Sequence, residues 1–261
     1  MEAISKIEIT KIKNYEKNLV IDTLVKEIVL TIYVNEQRVA IMMATPTDIK
    51  PLIIGYLISE DIVSKFSDID EISLESKNEF EISVKVKSQN TNLASIEKLN
   101  TEGIIISGCG SSKTANIDPN LDKFIKSDVR FGSSLILSKM ATFYTECDLY
   151  EQTGCVHTAK LFIDDDEFYI GEDIAQHNTI DKVLGKALMN GGNLESSFLM
   201  VSGRLSSEMV AKAVVHGVPV LVSRTAPTYL GVEIAIKYNL TLCGFARGSS
   251  MNVYSGEKRI R

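Results

Sequence analysis

Residues 197–248 read SFLMVSGRLSSEMVAKAVVHGVPVLVSRTAPTYLGVEIAIKYNLTLCGFARG. Three short apolar runs, SFLMVSG, VPVLVSR and LTLCGFARG, alternate with two segments of helical spacing. Short, uninterrupted apolar runs of this kind are what buried strands look like. In SSEMVAKAVVHG, Ser206 stands where a cap belongs and Gly217 where a helix stops. In APTYLGVEIAIKYN, Pro227 falls near the first turn and Asn239 near the end. The pattern is β-α-β-α-β, which predicts parallel strands joined by right-handed crossovers.

Upstream, TAKLFIDDDEFYIGED (158–173) predicts a hairpin with an acidic tip, Asp164-Asp165-Asp166. TIDKVLGKALMNGG (179–192) predicts a helix whose stripe is Ile180, Val183, Leu184, Ala187 and Leu188, ended by Asn190-Gly191-Gly192. Residues 133–146 have helical spacing at Leu135, Met140, Phe143 and Tyr144, and 111–130 read as loop and short helix. The first third reads as a small mixed domain. EIVLTIYVNEQRVAIMMA (27–44) is a hairpin turning at Val34-Asn35-Glu36, and EFEISVKVK (79–87) alternates as a half-buried strand does. Between them Thr47 is a candidate cap for a helix with Ile49, Leu52, Ile53, Tyr56 and Leu57 on one face.

The chain has 261 residues, room for one large domain or two ordinary ones. Its net charge of −6 argues against non-specific nucleic-acid binding, which needs a basic surface to displace counterions. No apolar run approaches the roughly 20 residues that span a bilayer. The stretch MEAISKIEITKIKNYEKN is charged throughout and lacks an apolar signal core, so the expected location is cytoplasmic.

Ligands of parallel sheets bind beyond the carboxyl ends of the strands. Those ends read Ser202-Gly203-Arg204, Ser223-Arg224-Thr225-Ala226-Pro227 and Arg247-Gly248-Ser249-Ser250. One such arginine would be read as a solvated or ion-paired surface residue. Three at equivalent positions, each with small hydroxyl residues, point to a polyanionic ligand such as a phosphate or carboxylate.

GEDIAQHNTIDK gathers Glu172, Asp173, His177 and Asp181. Asp173 or Asn178 could cap the following helix, and His177 could orient a substrate or move a proton. A metal site is not expected, because no third ligand shares the helix face with His177. Cys155 stands two residues before His157 in a glycine turn and is a candidate nucleophile. Cys147, at a helix end, and Cys243, in a strand, read as packing thiols. His216 ends a helix, where the dipole favours it. The other candidate thiol is Cys109 in IIISGCGSSKT (104–114). Gly108 and Gly110 free the backbone around it. Ser107, Ser111 and Ser112 keep the surroundings polar, and Lys113 favours thiolate.

GEDIAQHNTIDKVLG, VSGRLSSEMVAKA, GVPVLVSRTAPT, LTLCGFARGSSMNVY and the N-terminal VNEQRVAIMMATPTDIKPLIIGYLISEDIV together resemble the FdhD family. The resemblance spans most of the chain and is weakest at residues 1–25 and 64–102. It implies a sulfurtransferase required for active formate dehydrogenase. Sulfur would come from a cysteine desulfurase as a persulfide on Cys109. It would pass to the molybdenum (or tungsten) bis-molybdopterin guanine dinucleotide cofactor, bound as substrate. The family's cofactor-binding segment matches Phe245, Ala246, Arg247, Gly248, Ser249 and Ser250, and Arg204 and Arg224 would hold phosphates. His177, Asp173, Cys155 and His157 are auxiliary candidates. The family often has Cys-x-x-Cys in the reactive loop, where this chain has Ser112 three places after Cys109.

The implied fold class is α/β within an α+β whole. A cytidine-deaminase-like three-layer domain with a mixed or parallel sheet would occupy residues 133–261. A smaller N-terminal α+β domain would occupy 1–105, with the reactive-cysteine loop at 106–132. The resemblance also implies a homodimer. Two other readings stand beside the relay. One is a non-catalytic cofactor-binding chaperone. The other, remoter, is a nucleotide-binding deaminase-fold enzyme. Zinc deaminases need His-x-Glu and Pro-Cys-x-x-Cys; this chain has His157-Thr158-Ala159 and no Cys-x-x-Cys, so intrinsic zinc is not expected.

Overall fold

The 197–248 pattern folds as its periodicity requires. Strands β10 (Phe198–Val201), β11 (Val220–Ser223) and β12 (Thr241–Arg247) lie side by side and parallel. Helices α6 (Ser207–Val215) and α7 (Tyr229–Lys237) connect them. Ser206 caps α6 by accepting from the Met209 amide, and Thr228 caps α7 by accepting from Gly231. Gly217 follows α6 at φ +74°, a left-handed conformation that glycine takes without strain. The hairpin β8 (His157–Phe162) and β9 (Phe168–Asp173) adds to β10 antiparallel, and β13 (Ser250–Ser255) to β12. The sheet order is β13-β12-β11-β10-β8-β9.

The computed structural model describes residues 2–101, 106–107, 123–163 and 167–261. Cys109, Ser112, Lys113 and the tip Asp164-Asp165-Asp166 lie outside them, as do residues 111–122 of the expected loop; no helix forms in 123–130.

Side chains of alternate parity serve two cores. Leu199, Val201 and Leu221 face α5 (Gln176–Met189), α6 and α7. Phe198, Met200, Val220 and Val222 face α3 (Ser133–Ala141). Helix α4 (Asp148–Thr153) follows and ends at Gly154. A second, five-stranded sheet has the order β5-β6-β3-β4-β7. Its strands are β3 (Ile28–Val34), β4 (Gln37–Ala44), β5 (Ile69–Ser76), β6 (Glu81–Ser88) and β7 (Ile106–Ser107). Asn35 and Glu36, both at positive φ, make the β3–β4 turn. This sheet packs on α1 (Ile49–Ser59) and α2 (Leu93–Thr101). The charged N-terminal residues form a separate two-stranded hairpin of β1 (Ile4–Lys13) and β2 (Glu16–Val25).

The helix stripes needed correction where tertiary contacts intervened. Asp48, not Thr47, precedes α1, without a side-chain cap bond. The Thr47 hydroxyl instead accepts from Lys182. Nor is α1 one-faced: Ile54, Gly55 and Ile58 are buried with the expected stripe, because α5 covers the far side. A Cβ on Gly55 would lie 2.1 Å from the Asp181 carbonyl, and one on Gly185 1.9 Å from that of Pro51. The two helices therefore touch backbone to backbone. Asn178 lies inside α5 rather than capping it.

Candidate functional site

The carboxyl ends of β10, β11 and β12, the start of β8 and the end of β9 all reach one edge of the larger sheet. The loops there are tied together. The Ser223 hydroxyl donates to the Gly203 carbonyl at 2.6 Å and accepts from the Thr225 amide at 3.0 Å. The Leu205 amide donates to the Ala226 carbonyl, and the Leu205 carbonyl accepts from the Thr228 amide, tying the loop after β10 to the one after β11. Arg247 Nε donates to the Arg224 carbonyl at 2.8 Å. The Arg224 guanidinium lies 5.5 Å from the Tyr144 ring centroid and donates to the Met140 carbonyl. Arg204 is exposed at the next strand end. Among the described residues no carboxylate pairs with any of these three arginines.

The end of β12 is irregular. The pairing register with β13 shifts between Gly244 and Arg247, and Phe245 sits at φ +52°. A bulky residue in that region is an outlier held by its surroundings. Here the Phe245 amide is bound by the Thr225 carbonyl at 3.0 Å, and the ring remains exposed. Gly248 and Ser249 form the exposed turn that comes next, and exposed Ser250 opens β13 opposite Arg247. Ala246 is fully buried against the α3 side, so its side chain serves packing, not ligand contact.

A second group lies beside the arginines. His157 Nδ1 is 3.2 Å from the Ser202 hydroxyl, which also accepts the Thr158 amide. The hydroxyl keeps a second lone pair beside that amide, so the Nδ1 contact is compatible with either tautomer of His157. Burial lowers the His157 pKa; Asp173 opposes this, while His177 and Arg204 add to it. His177 Nε2 pairs with Glu208 of α6 at 3.0 Å. Asp173 is fully engaged. It meets Lys182 Nζ at 2.7 Å with both side chains fully buried, and accepts from the Thr45 and Ala175 amides and from Asn178. Asp173 is thus a structural anchor whose bond to Thr45 joins the smaller sheet to the site.

Cys155 is exposed just after Gly154, at the same edge as His157. Cys147 and Cys243 are buried, and burial pushes their thiols up to about 11 and about 12. His216 differs from its expected dipole role. It is buried beside Ser59, and burial lowers its pKa to about 3, so it is neutral and offers no charge to the α6 terminus. Glu208, Lys182 and Thr45 were missed from sequence, because each acquires its role only from a partner distant in the chain.

Fold and site define an α+β protein with a row of three arginines, free of carboxylate partners among the described residues, at one edge of a mixed sheet. Residues 25–261 match the model of the FdhD/NarQ family, and the chain belongs to that family. It is 38% identical over 240 residues to the sulfur carrier protein FdhD of Wolinella succinogenes, covering 92% of this chain and 82% of that one. It is 34% identical over 260 residues to the protein of the same name from Sulfolobus acidocaldarius, covering 98% of each. Its fold is similar to a crystal structure from Desulfotalea psychrophila, provisionally assigned as a formate dehydrogenase accessory protein, with TM-score 0.79, 24% identity and full coverage of both chains. No helix among the described residues is long and apolar enough to cross a membrane.

Proposed function

We propose that this protein is a sulfur carrier in formate dehydrogenase maturation. It takes sulfur from a cysteine desulfurase as a Cys109 persulfide and delivers it to a molybdenum or tungsten bis-molybdopterin guanine dinucleotide, its bound substrate. The observation that carries this is the row of Arg204, Arg224 and Arg247 at adjacent strand ends without carboxylate partners among the described residues. Guanidinium forks and capped helix N-termini suit the phosphates of a dinucleotide. The names of the relatives support the sulfur chemistry. The hairpin β8–β9 followed by three parallel strands supports a cytidine-deaminase-like domain at 133–261, with 1–105 as the smaller domain and 106–132 as the reactive loop.

In the first step the Cys109 thiolate attacks the outer sulfur of the donor persulfide. A new S–S bond forms, the old one breaks, and the donor cysteine leaves as thiolate. Delivering that sulfur as sulfide consumes two electrons, which a thiol reductant supplies. The strand-end residues hold the substrate, with His157 beside them.

Incubation with a cysteine desulfurase and cysteine, followed by peptide mass spectrometry, should place one added sulfur atom on Cys109. A label on Cys155 alone would overturn the assignment. Cys109→Ala should still bind GDP yet fail to activate formate dehydrogenase. Full activation by that variant would favour the non-catalytic chaperone.

A further inference from the structure

Four side chains between the two larger sheets form a closed polar hub. Thr45, Asp173 and Lys182 are wholly buried and Asn178 nearly so. Thr45 follows β4, Asp173 ends β9, and Asn178 and Lys182 lie one turn apart on α5. The Thr45 amide donates to Asp173 Oδ2 at 3.0 Å, and its hydroxyl accepts from the Ile174 amide at 3.1 Å. Asn178 Nδ2 donates to the Met43 carbonyl at 2.9 Å and to Asp173 Oδ1 at 3.0 Å. Lys182 Nζ meets Asp173 and donates to the Thr45 and Glu172 carbonyls. Buried ions are weak evidence for stability, because apolar side chains of similar volume often serve it as well. What the bonded groups add is direction: the ends of β4 and β9 cannot slide past one another without breaking several bonds at once.

The hub stands between the two parts of the proposed relay. Strand β7 runs parallel to β4 with Ser107 opposite Met42, so the chain leaves β7 toward the Thr45 end. Cys109 comes two residues later in the sequence, outside the described residues. On the other side Asp173 pairs with His157 across β9 and β8. His157 meets Ser202, two residues before Arg204. An unbroken run of bonds therefore joins the end of β4, beside β7, to the arginine edge.

We infer that Thr45 and Asn178 are positioning residues for sulfur transfer. Through Asp173 they hold the β4–β7 end at one separation and angle from the arginine edge. The inference rests on the proposed relay from Cys109 to a substrate held by those arginines. Neither residue acts on sulfur; each acts through the geometry of the two parts, where a displacement of about 1 Å can slow a reaction roughly 100-fold.

The test separates charging, binding and transfer in the full chain. Each protein is charged with a cysteine desulfurase and cysteine and freed of the donor. It is then mixed with unsulfurated cofactor, inactive formate dehydrogenase and a thiol reductant, and the rate of activation is followed. Thr45→Val removes only the hydroxyl, and Asn178→Leu removes both amide bonds at similar volume. Both variants should gain one sulfur atom on Cys109 and bind GDP within about twofold of wild type, while activation slows roughly 10- to 100-fold. Thr45→Ser keeps the hydroxyl and should restore the rate. If Asn178→Leu does not fold, the two Thr45 variants decide alone. Activation by Thr45→Val at the wild-type rate overturns the inference. So does loss of charging and GDP binding in step with activation, or a Thr45→Ser as slow as Thr45→Val. Failure of the relay itself reads differently: wild type would carry no sulfur on Cys109, and the inference would fall with it.

Discussion

The α1–α5 crossing and the strand-end edge treat charge in opposite ways. At the crossing, two glycines bring backbones into contact and the buried charges nearby are paired: Asp173 with Lys182, and Asp181 with Lys212 at 2.7 Å. At the edge, among the described residues, three arginines meet carbonyls, a ring and solvent and no carboxylate. A closed region of this kind holds the fold together, whereas the open one, on the proposed function, receives the ligand. Substitutions in the first should therefore read out as stability, and in the second as affinity.

The crossing gives the largest expected effect. Gly185→Val should cost more than about 4 kcal/mol in urea denaturation, because a Cβ has no space beside Pro51. A change under about 1 kcal/mol would mean the helices do not meet so closely. Lys182→Met should cost about 3–5 kcal/mol by stranding a buried Asp173 carboxylate. If instead only GDP binding suffered, the division between a closed and an open region would fail.

Acid should erode the closed region gradually. An unfolded histidine protonates near about 6.5, while folded His216 stays neutral down to about 3. Between those values the unfolded state binds more protons. This contribution is full above about pH 6.5 and shrinks as pH falls toward 3. His157, also lowered, acts in the same direction. Urea midpoints should drop over this range, and His216→Gln should flatten the profile.

At the open edge, Arg204→Ala and Arg247→Ala should each weaken GDP or pyrophosphate binding about 10- to 100-fold by calorimetry. Their unfolding free energies should stay within about 1 kcal/mol of wild type. The smallest effect belongs to Phe245→Gly. Relief of the left-handed backbone should offset the lost ring contacts to within about 1 kcal/mol.

The two regions also differ in how far they could be read from sequence. The edge was legible: SFLMVSG, VPVLVSR and LTLCGFARG are local strand signals, and chain order fixes which residues stand at the end of each strand. The crossing was not. The run ISKIEITKIK folds as a strand without a buried face, so its charges hid β1. The expectation of a one-faced α1 failed because its second partner, α5, lies more than a hundred residues away. Residues 89–102 gave no helical signal strong enough to identify α2.

By itself the sequence determined the β8–β9 hairpin, the three parallel strands β10, β11 and β12, and which hydroxyls and arginines stand at their ends. Those depend on periodicity, caps and chain connectivity, which act over a few residues. Only the tertiary structure decided that Asp173 anchors buried Lys182 rather than capping α5, that His216 is neutral, and that Gly55 and Gly185 meet opposing backbone. Each of these depends on desolvation and on a partner that folding brings from elsewhere in the chain.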